Sequence, residues 1–166
     1  MKYHGIDAQF ANLVKARFPF VYIPTWEEDR ALQMIYDVAE NTEFFQSGRE
    51  VYVWSQTTGI RKKGEAGKKN ETVHPSAAID FAEKTEENMI LVLKDFHVFF
   101  GTGNRAPDYA LIRRLRDYLS NSRSTGTYMK TIVFLSPVLV LPEDMQKEIT
   151  VLEFPLPTAD QLHSVI

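Results

Sequence analysis

The chain has 166 residues, of which 44% are hydrophobic and 25% charged, and its formal net charge is −3 at pH 7. That length suits one domain with a single buried core, and the slightly acidic balance excludes a global attraction to nucleic acid or anionic membranes. The absence of cysteine excludes disulfides, thiol catalysis and thiolate zinc sites. Residues 1–10 do not read as a signal peptide, and no apolar run approaches the roughly 20 residues of a membrane helix. We therefore expect a cytoplasmic protein with no membrane partner.

Segments with apolar residues at helical spacing alternate along the chain with short, continuously apolar runs. This alternation is typical of parallel βαβ units. The predicted helices span residues 6–17, 25–41 with Thr25 as its cap, 75–87 and 108–120, and a helical turn is predicted at 143–148. The predicted strands span residues 18–24, 50–56, 89–95, 129–135 and 149–154. We therefore predict a three-layer α/β sandwich with a five-stranded, mainly parallel sheet.

Residues 57–74 differ from the rest of the chain, because they hold three glycines, five basic residues and little apolar content. Such a composition predicts a mobile basic loop, which we place at 59–74. The piece Gly64–Lys69 looks like the end of a phosphate loop, but its glycine spacing is too short and no strand directly precedes it. A solvated loop is the favoured interpretation. The weaker alternative is contact with a polyanion through Arg61, Lys62, Lys63, Lys68 and Lys69.

The turn after the first predicted strand, Ile23–Arg30, lies where parallel sheets bind ligands, beyond the carboxyl ends of the strands. A phosphate loop there needs glycines whose N–H groups surround the phosphates, a lysine, and a hydroxyl for magnesium. The turn has no glycine, and proline removes one N–H. Three acids, Glu27, Glu28 and Asp29, stand where an anion would bind. The sequence around Thr25 and Glu27 therefore opposes a nucleotide phosphate.

Two other strand ends carry candidate site residues. An apolar strand ending in Asp is how ATPases present an acid to magnesium, usually followed by a Glu that orients water. Here Asp95 is followed by Phe96 and His97, so the second carboxylate is absent. We favour Asp95 as a turn cap or arginine partner, and a packed or exposed His97 over a general base. Ser136 ends the strand at which an ATPase would carry a polar sensor residue. An ordinary Ser-Pro turn is an equally good interpretation.

Three arginines, Arg113, Arg114 and Arg116, occupy nearly one full turn of the predicted 108–120 helix. They are candidates for contact with a neighbouring subunit or another partner. The more usual interpretation is a solvated face with local ion pairs. No metal cluster, nucleophile–base pair or paired-carboxylate site emerges from the sequence, so we predict no catalytic residue, no metal and no cofactor for this chain.

The segments LVLKDFH, RRLRD and LSPVLVLPEDMQKEITVLEFPLPT are the most specific pieces of a match that runs over nearly the whole chain. Together they resemble the N-terminal domain of a group of bacterial and plastid AAA+ ATPases. The resemblance implies a degenerate ATPase-like domain over residues 1–157, the start of a helical lid at 158–166, and an active AAA+ module further on. That module would use ATP and magnesium, and such motors commonly form rings.

Residue by residue, the resemblance implies that Ile23–Arg30 replaces the phosphate loop. Phe96 stands in the place of the catalytic Glu, and Ser136 stands where Asn is usual. We therefore expect a non-catalytic domain that serves regulation, assembly or target recruitment for the downstream module and its ring neighbours. The alternatives are a weak nucleotide hydrolase using Asp95 and His97, and a nucleic-acid-binding module acting through residues 61–69.

Overall fold

The computed structural model describes residues 5–155, apart from the side chain of Thr125. One six-stranded sheet in the order β3-β2-β4-β5-β1-β6 lies between two helical layers. Every pair of neighbouring strands is parallel except β2 and β3. The strands are β1 Phe20–Pro24, β2 Glu50–Ser55, β3 Gly59–Lys62, β4 Met89–Lys94, β5 Lys130–Ser136 and β6 Ile149–Val151.

Four α-helices cover the two faces of the sheet. They are α1 Ile6–Lys15, α2 Glu28–Glu40, α3 Pro75–Lys84 and α4 Tyr109–Thr125, and single 3₁₀ turns span Asn70–Thr72, Phe96–Phe99 and Glu143–Met145. The inner strands are apolar on both faces because each face meets a helical layer. Side chains at alternate positions of β4 therefore enter different cores, Ile90 and Val92 beneath α1 and α2, Leu91 and Leu93 beneath α3 and α4.

The predicted count of five strands was wrong, because the segment predicted as a mobile loop, 59–74, contains a sixth strand. Residues 59–62 form β3, which pairs antiparallel with β2, and a buried Ile60 joins the core. The indole of Trp54 donates a 2.7 Å hydrogen bond to the Thr72 carbonyl, and the Ile60 N–H donates to Thr72 Oγ1 at 2.8 Å. One apolar residue and these two hydrogen bonds fix a segment whose composition resembles a linker.

The predicted lid at 158–166 lies outside the described residues. None of the helices within residues 5–155 is long and apolar enough to cross a membrane. Parallel strands β1, β4 and β5 end at the same edge of the sheet, since Pro24 is in register with Ser136 and Lys94 with Leu135. The turns that follow Pro24, Lys94 and Ser136 therefore meet, and this edge is where the candidate site is built.

Candidate functional site

The turn after β1 is held by backbone and side-chain hydrogen bonds that differ from those of a phosphate loop. The Thr25 N–H donates to the Ser136 carbonyl at 2.8 Å, and the Thr25 hydroxyl accepts from the Glu27 N–H at 3.0 Å. The expectation that Thr25 caps α2 was wrong, because Glu27 is the residue at the cap position. The Glu27 carboxylate instead bonds Arg30 Nη1 at 2.6 Å. Two N–H groups of the turn, those of Thr25 and Glu27, are thus already used in hydrogen bonds within the protein.

The cavity at this turn is small and acidic. It measures about 180 Å³ and is lined by Thr25, Trp26, Glu28, Asp95, Leu135, Ser136 and Pro137. Pockets that hold drug-sized ligands usually measure roughly 300–1,000 Å³. The two lining carboxylates, Glu28 and Asp95, would repel the phosphates of a nucleotide, and the turn offers no glycine that lets backbone N–H groups approach them. ATP and magnesium do not fit the residues present here.

Asp95 and Phe96 stand at the end of β4 and have opposite environments. Asp95 is exposed in the left-handed region with φ 56° and makes no side-chain cap, so the predicted capping role is wrong. Among the described residues it forms no ion pair with an arginine either. The neighbouring Lys94 pairs with Glu28 at 3.7 Å. Phe96 is fully buried and packs on four aromatic rings, those of Trp54, Phe99, Phe100 and Phe134. The residue that directly follows Asp95 is therefore a core side chain.

His97 and Ser136 each carry a buried polar atom without a well-formed hydrogen bond among residues 5–155. His97 Nδ1 has no partner, so no carboxylate orients this ring as a general base requires. Ser136 Oγ is likewise buried without a hydrogen bond of good geometry. It lies near the Tyr22 hydroxyl, whose pKa is raised by burial and lowered less by its hydrogen-bonding surroundings, Ser136 included. Neither residue completes a catalytic arrangement.

Three of the five basic residues of the β3 region form ion pairs with acids of the same domain. Lys62 pairs with Glu50 at 3.1 Å, Lys63 with Glu40 at 3.7 Å and Lys69 with Glu65 at 3.2 Å. Arg61 donates to the Gly67 carbonyl at 3.3 Å. Lys68 is exposed. A neighbouring cavity of about 400 Å³ mixes Arg61, Lys62, Lys63 and Lys94 with Glu28, Glu65 and Asp95. These pairs weaken the positive field that binding to a polyanion requires.

The three arginines of α4 separate into two kinds. Arg114 points toward α3, where its Nε and Nη2 donate to Asp80 at 3.0 and 2.7 Å and Nη2 donates to Glu83 at 2.5 Å. It therefore joins two helices of its own domain. Arg113 is exposed and pairs with Asp117 one turn on, and Arg116 is exposed beside it. Contact with a partner stays a prediction for Arg113 and Arg116.

Trp26 is the residue at this edge that the sequence did not single out. Its side chain is 81% exposed, while the other tryptophan, Trp54, is fully buried. A large apolar side chain in a turn between a strand and three acids is a signal that could have identified it. Within residues 5–155, no three side chains of the types that bind metals are grouped to hold an ion.

The model of the family described as SpoVK-like AAA ATPase, N-terminal domain, matches residues 6–154. The chain belongs to this family. Relatives named uncharacterized AAA domain-containing protein ycf46 are 31% identical over 159 residues in Guillardia theta and 31% over 157 residues in Trieres chinensis. Those matches cover 92% and 90% of this chain and 28% of each relative. The chain thus spans little more than a quarter of the relatives' length.

Solved structures support the fold. A chain of the HORMA:CdnC:Trip13 complex of E. coli MS115-1 matches 99% of this chain and 57% of its own length, with 20% identity and a TM-score of 0.56. A chain of Drosophila ORC bound to poly(dA/dT) DNA and Cdc6 matches 99% of this chain and 30% of its own, with 11% identity and a TM-score of 0.54. The α/β sheet is therefore of the P-loop NTPase type found in AAA+ proteins.

Proposed function

We propose that this domain is a non-catalytic N-terminal part of an AAA family ATPase, which regulates, assembles or recruits targets for an active module elsewhere in the polypeptide. The observation that carries the proposal is the turn Ile23–Arg30. It follows β1 at the carboxyl edge of the sheet, where parallel sheets bind ligands, yet acids line its 180 Å³ cavity and glycine is absent. Because a fold does not determine its function, the composition of this turn supports a role in contacts more than one in catalysis.

The proposal extends to the whole protein through its family membership. ATP and magnesium would serve the active module, because the turn after β1 does not fit them. The partners would be that module, neighbouring subunits of a ring and a protein target. The exposed Arg113 and Arg116 are candidates for such contacts. A cytoplasmic location, for which the absence of cysteine gives support, is part of the same proposal.

Calorimetric titration of the chain with ATP and with ADP, each with magnesium, tests the proposal. We expect no heat of binding up to millimolar nucleotide. Micromolar affinity for either nucleotide would refute the non-catalytic role.

A matched variant separates the two causes of that failure. Replacing Glu27, Glu28 and Asp29 with their amides removes the local negative charge and leaves the glycine-free backbone of the turn unchanged. We expect this variant to bind no nucleotide either, since side-chain changes cannot create the array of N–H groups that a phosphate needs. Binding by the triple amide alone would mean that charge, and not the shape of the turn, closes the site.

The two alternative functions have less support. A weak hydrolase needs a base, and His97 Nδ1 has no partner among the described residues that would orient it. Hydrolysis that is lost in both Asp95→Ala and His97→Ala would restore this hypothesis. Binding of nucleic acid needs unpaired cations, and three of the five basic residues at 61–69 form ion pairs. Retention on DNA or RNA at low salt, lost as salt rises, would restore that one.

A further inference from the structure

Trp26 presents an aromatic ring to solvent at the cavity that follows β1. Its side chain is 81% exposed. Elsewhere in the domain guanidinium groups pack on aromatic rings, since Arg30 lies 4.5 Å from the centre of the Phe154 ring and Arg49 lies 4.4 Å from that of Phe45. Among residues 5–155 the ring of Trp26 has no cationic or aromatic neighbour. It is therefore available to a cation from another molecule.

The carboxylates beside Trp26 leave negative charge without a counterion. Glu28 and Asp95 line the same cavity as Trp26. Lys94 pairs with Glu28 at 3.7 Å, whereas Asp95 forms no ion pair among the described residues. Two lysines of the neighbouring cavity are likewise paired with other acids. One carboxylate charge at the cavity is thus uncompensated, and it favours a single cation over an anion.

The same cavity contains a buried oxygen that lacks a hydrogen-bond donor. Ser136 lines the cavity and is 2% exposed, and its Oγ has no well-formed hydrogen bond among residues 5–155. Because buried polar atoms are normally satisfied, an N–H donor that enters the cavity would stabilise this hydroxyl. The cavity measures about 180 Å³, and at roughly 30 Å³ per water molecule it has room for about six heavy atoms. That is the size of one long side chain.

The segment after β5 adds an apolar rim whose backbone is held in place. Pro137 lines the cavity, and Val138 and Leu139 are 42% and 50% exposed. The Tyr22 hydroxyl donates to the Val138 carbonyl at 2.6 Å and accepts from the Val140 N–H at 3.2 Å. A rim that is ordered before binding lowers the entropy lost when a partner docks. Its exposed apolar side chains favour apolar residues in that partner.

We infer that this cavity binds an arginine side chain of a partner protein, presented between apolar residues. The guanidinium stacks on the Trp26 indole and donates hydrogen bonds to the Asp95 carboxylate and Ser136 Oγ. The apolar residues on either side of the arginine pack on Val138 and Leu139. A guanidinium fits better than an ammonium, because it is planar and carries five N–H donors. The inference rests on the proposed role in contacts and specifies the chemistry of the partner.

Peptide titration of the 166-residue chain, followed by heteronuclear NMR, tests the inference. The probe is acetyl-Gly-Leu-Arg-Leu-Gly-amide, and its matched control carries citrulline, which keeps the shape of arginine without the charge. We expect the probe to shift the Trp26 indole signal saturably and the citrulline peptide to bind about tenfold more weakly. The indole of the buried Trp54 is the internal reference. Equal binding of the two peptides, or no saturable shift, would overturn the inference.

A lysine peptide tests the choice of a guanidinium. It keeps the positive charge but lacks the planar group that stacks on an indole and donates in several directions. We expect it to bind several-fold more weakly than the arginine peptide. Equal binding of the lysine and arginine peptides would refute the assignment to arginine.

Asp95→Asn removes the unpaired charge and keeps the backbone, because Asn also tolerates the left-handed conformation of this residue, φ 56°. This variant should bind the arginine peptide several-fold more weakly and the citrulline peptide as before. Glu43→Gln removes the same charge at an exposed position beyond the other end of α2, and it should leave both affinities unchanged. Equal effects of the two substitutions would assign binding to net charge and contradict a specific cavity.

Two further outcomes separate this inference from the proposed function. A Trp26 signal that changes on dilution without peptide would identify a second copy of the chain as the occupant and refute the arginine site. If no peptide binds and the nucleotide titration is also negative, the arginine site is refuted while the role in contacts stands. Nucleotide binding alone would instead refute the role in contacts.

Discussion

The centre of the sheet and the turns at its carboxyl edge are made of adjacent residues but have very different properties. Strands β1, β4 and β5 are almost completely buried between two helical layers. The turns that follow them hold an exposed tryptophan, an exposed Asp95 in a left-handed conformation and a Ser136 hydroxyl without a well-formed hydrogen bond. The packing of the sheet and the make-up of these turns can therefore vary separately, because core packing and the surface of the carboxyl edge depend on different side chains.

Phe96 lies on the boundary between these two regions, and its truncation should have the largest effect. Phe96→Ala removes a fully buried ring that contacts four other aromatic rings. We expect a loss of about 3–5 kcal/mol in the free energy of unfolding, as is usual for such truncations. Urea denaturation measures it, with the half-buried Phe99→Ala as a milder control. A loss below about 1 kcal/mol would assign Phe96 to the edge and not to the core.

Gly59 tests whether the β3 region is ordered. A Cβ added at Gly59, where φ is 67°, would lie 2.2 Å from the Lys69 carbonyl oxygen, whereas one at Gly64, where φ is 86°, would meet nothing within 4 Å. We expect Gly59→Ala to cost about 2–4 kcal/mol, and Gly64→Ala only the roughly 1–2 kcal/mol of backbone strain. Denaturation with hydrogen exchange of residues 59–72 gives the measurement. If Gly59→Ala and Gly64→Ala lowered the free energy of unfolding equally, the result would favour a mobile loop at 59–74.

Replacing Arg114 should lower the free energy of unfolding by less, because its ion pairs are partly exposed to solvent. Arg114→Met keeps much of the side-chain length but removes the hydrogen bonds to Asp80 and Glu83, and about 1–2 kcal/mol of unfolding free energy should be lost. Arg113→Met, which removes a pair more exposed to solvent, is the matched control and should change little. If the two variants were equally stable, Arg114 would be free to meet a partner instead.

The acid dependence of this network has a definite sign. The Asn121 hydrogen bond, with that of Arg114 next, lowers the pKa of the Glu83 carboxyl, against an opposing effect of burial. A lowered native-state pKa contributes stability that is present above the unfolded-state value, roughly 4.3 for Glu. That contribution is lost as the pH falls through the native value. Glu83→Gln should therefore reduce the loss of stability on acidification below about pH 5, as urea titrations over pH can measure.

Replacing Tyr118 should have the smallest effect on the free energy of unfolding at neutral pH, and a distinct effect at alkaline pH. Burial, with a smaller effect of Glu83, raises the pKa of the Tyr118 phenol to about 12. The contribution of this phenol to stability is fully present below its pKa in the unfolded chain, about 10. It is lost as the pH rises from there toward its pKa in the folded protein. We expect Tyr118→Phe to be nearly neutral at pH 7 and to weaken the alkaline loss of stability. A parallel pH dependence in both proteins would contradict the burial of an intact phenol.

Much of the fold followed from hydrophobic patterning. The strands β1, β2, β4 and β5 and the four helices were predicted within a few residues because continuous apolar runs and helical spacing report burial directly. Strand β3 was missed because Ile60 is its one buried apolar side chain, too little to form a pattern. Its order comes from Thr72 and Lys69, which are distant in sequence, and such contacts leave no periodic signal.

The candidate site was predictable mainly as a set of missing groups. The absence of glycine from Ile23–Arg30 is visible in the sequence, and the acids facing the cavity agree with it. The exposure of Trp26 and the burial of Phe96 were not predictable, because both are aromatic residues next to a strand. Their environments differ only through tertiary packing, in which Phe96 turns into the α3 and α4 layer and Trp26 turns away from both cores.

The two ends of the sheet restrict how copies of the domain can join. Strand β6 has only three residues, and β3 has four, two of which are the basic Arg61 and Lys62. Short and charged edge strands resist the addition of a strand from another molecule. Within residues 5–155, both edges of the sheet therefore disfavour the addition of a strand from another molecule, and the helical faces offer the larger side-chain surfaces.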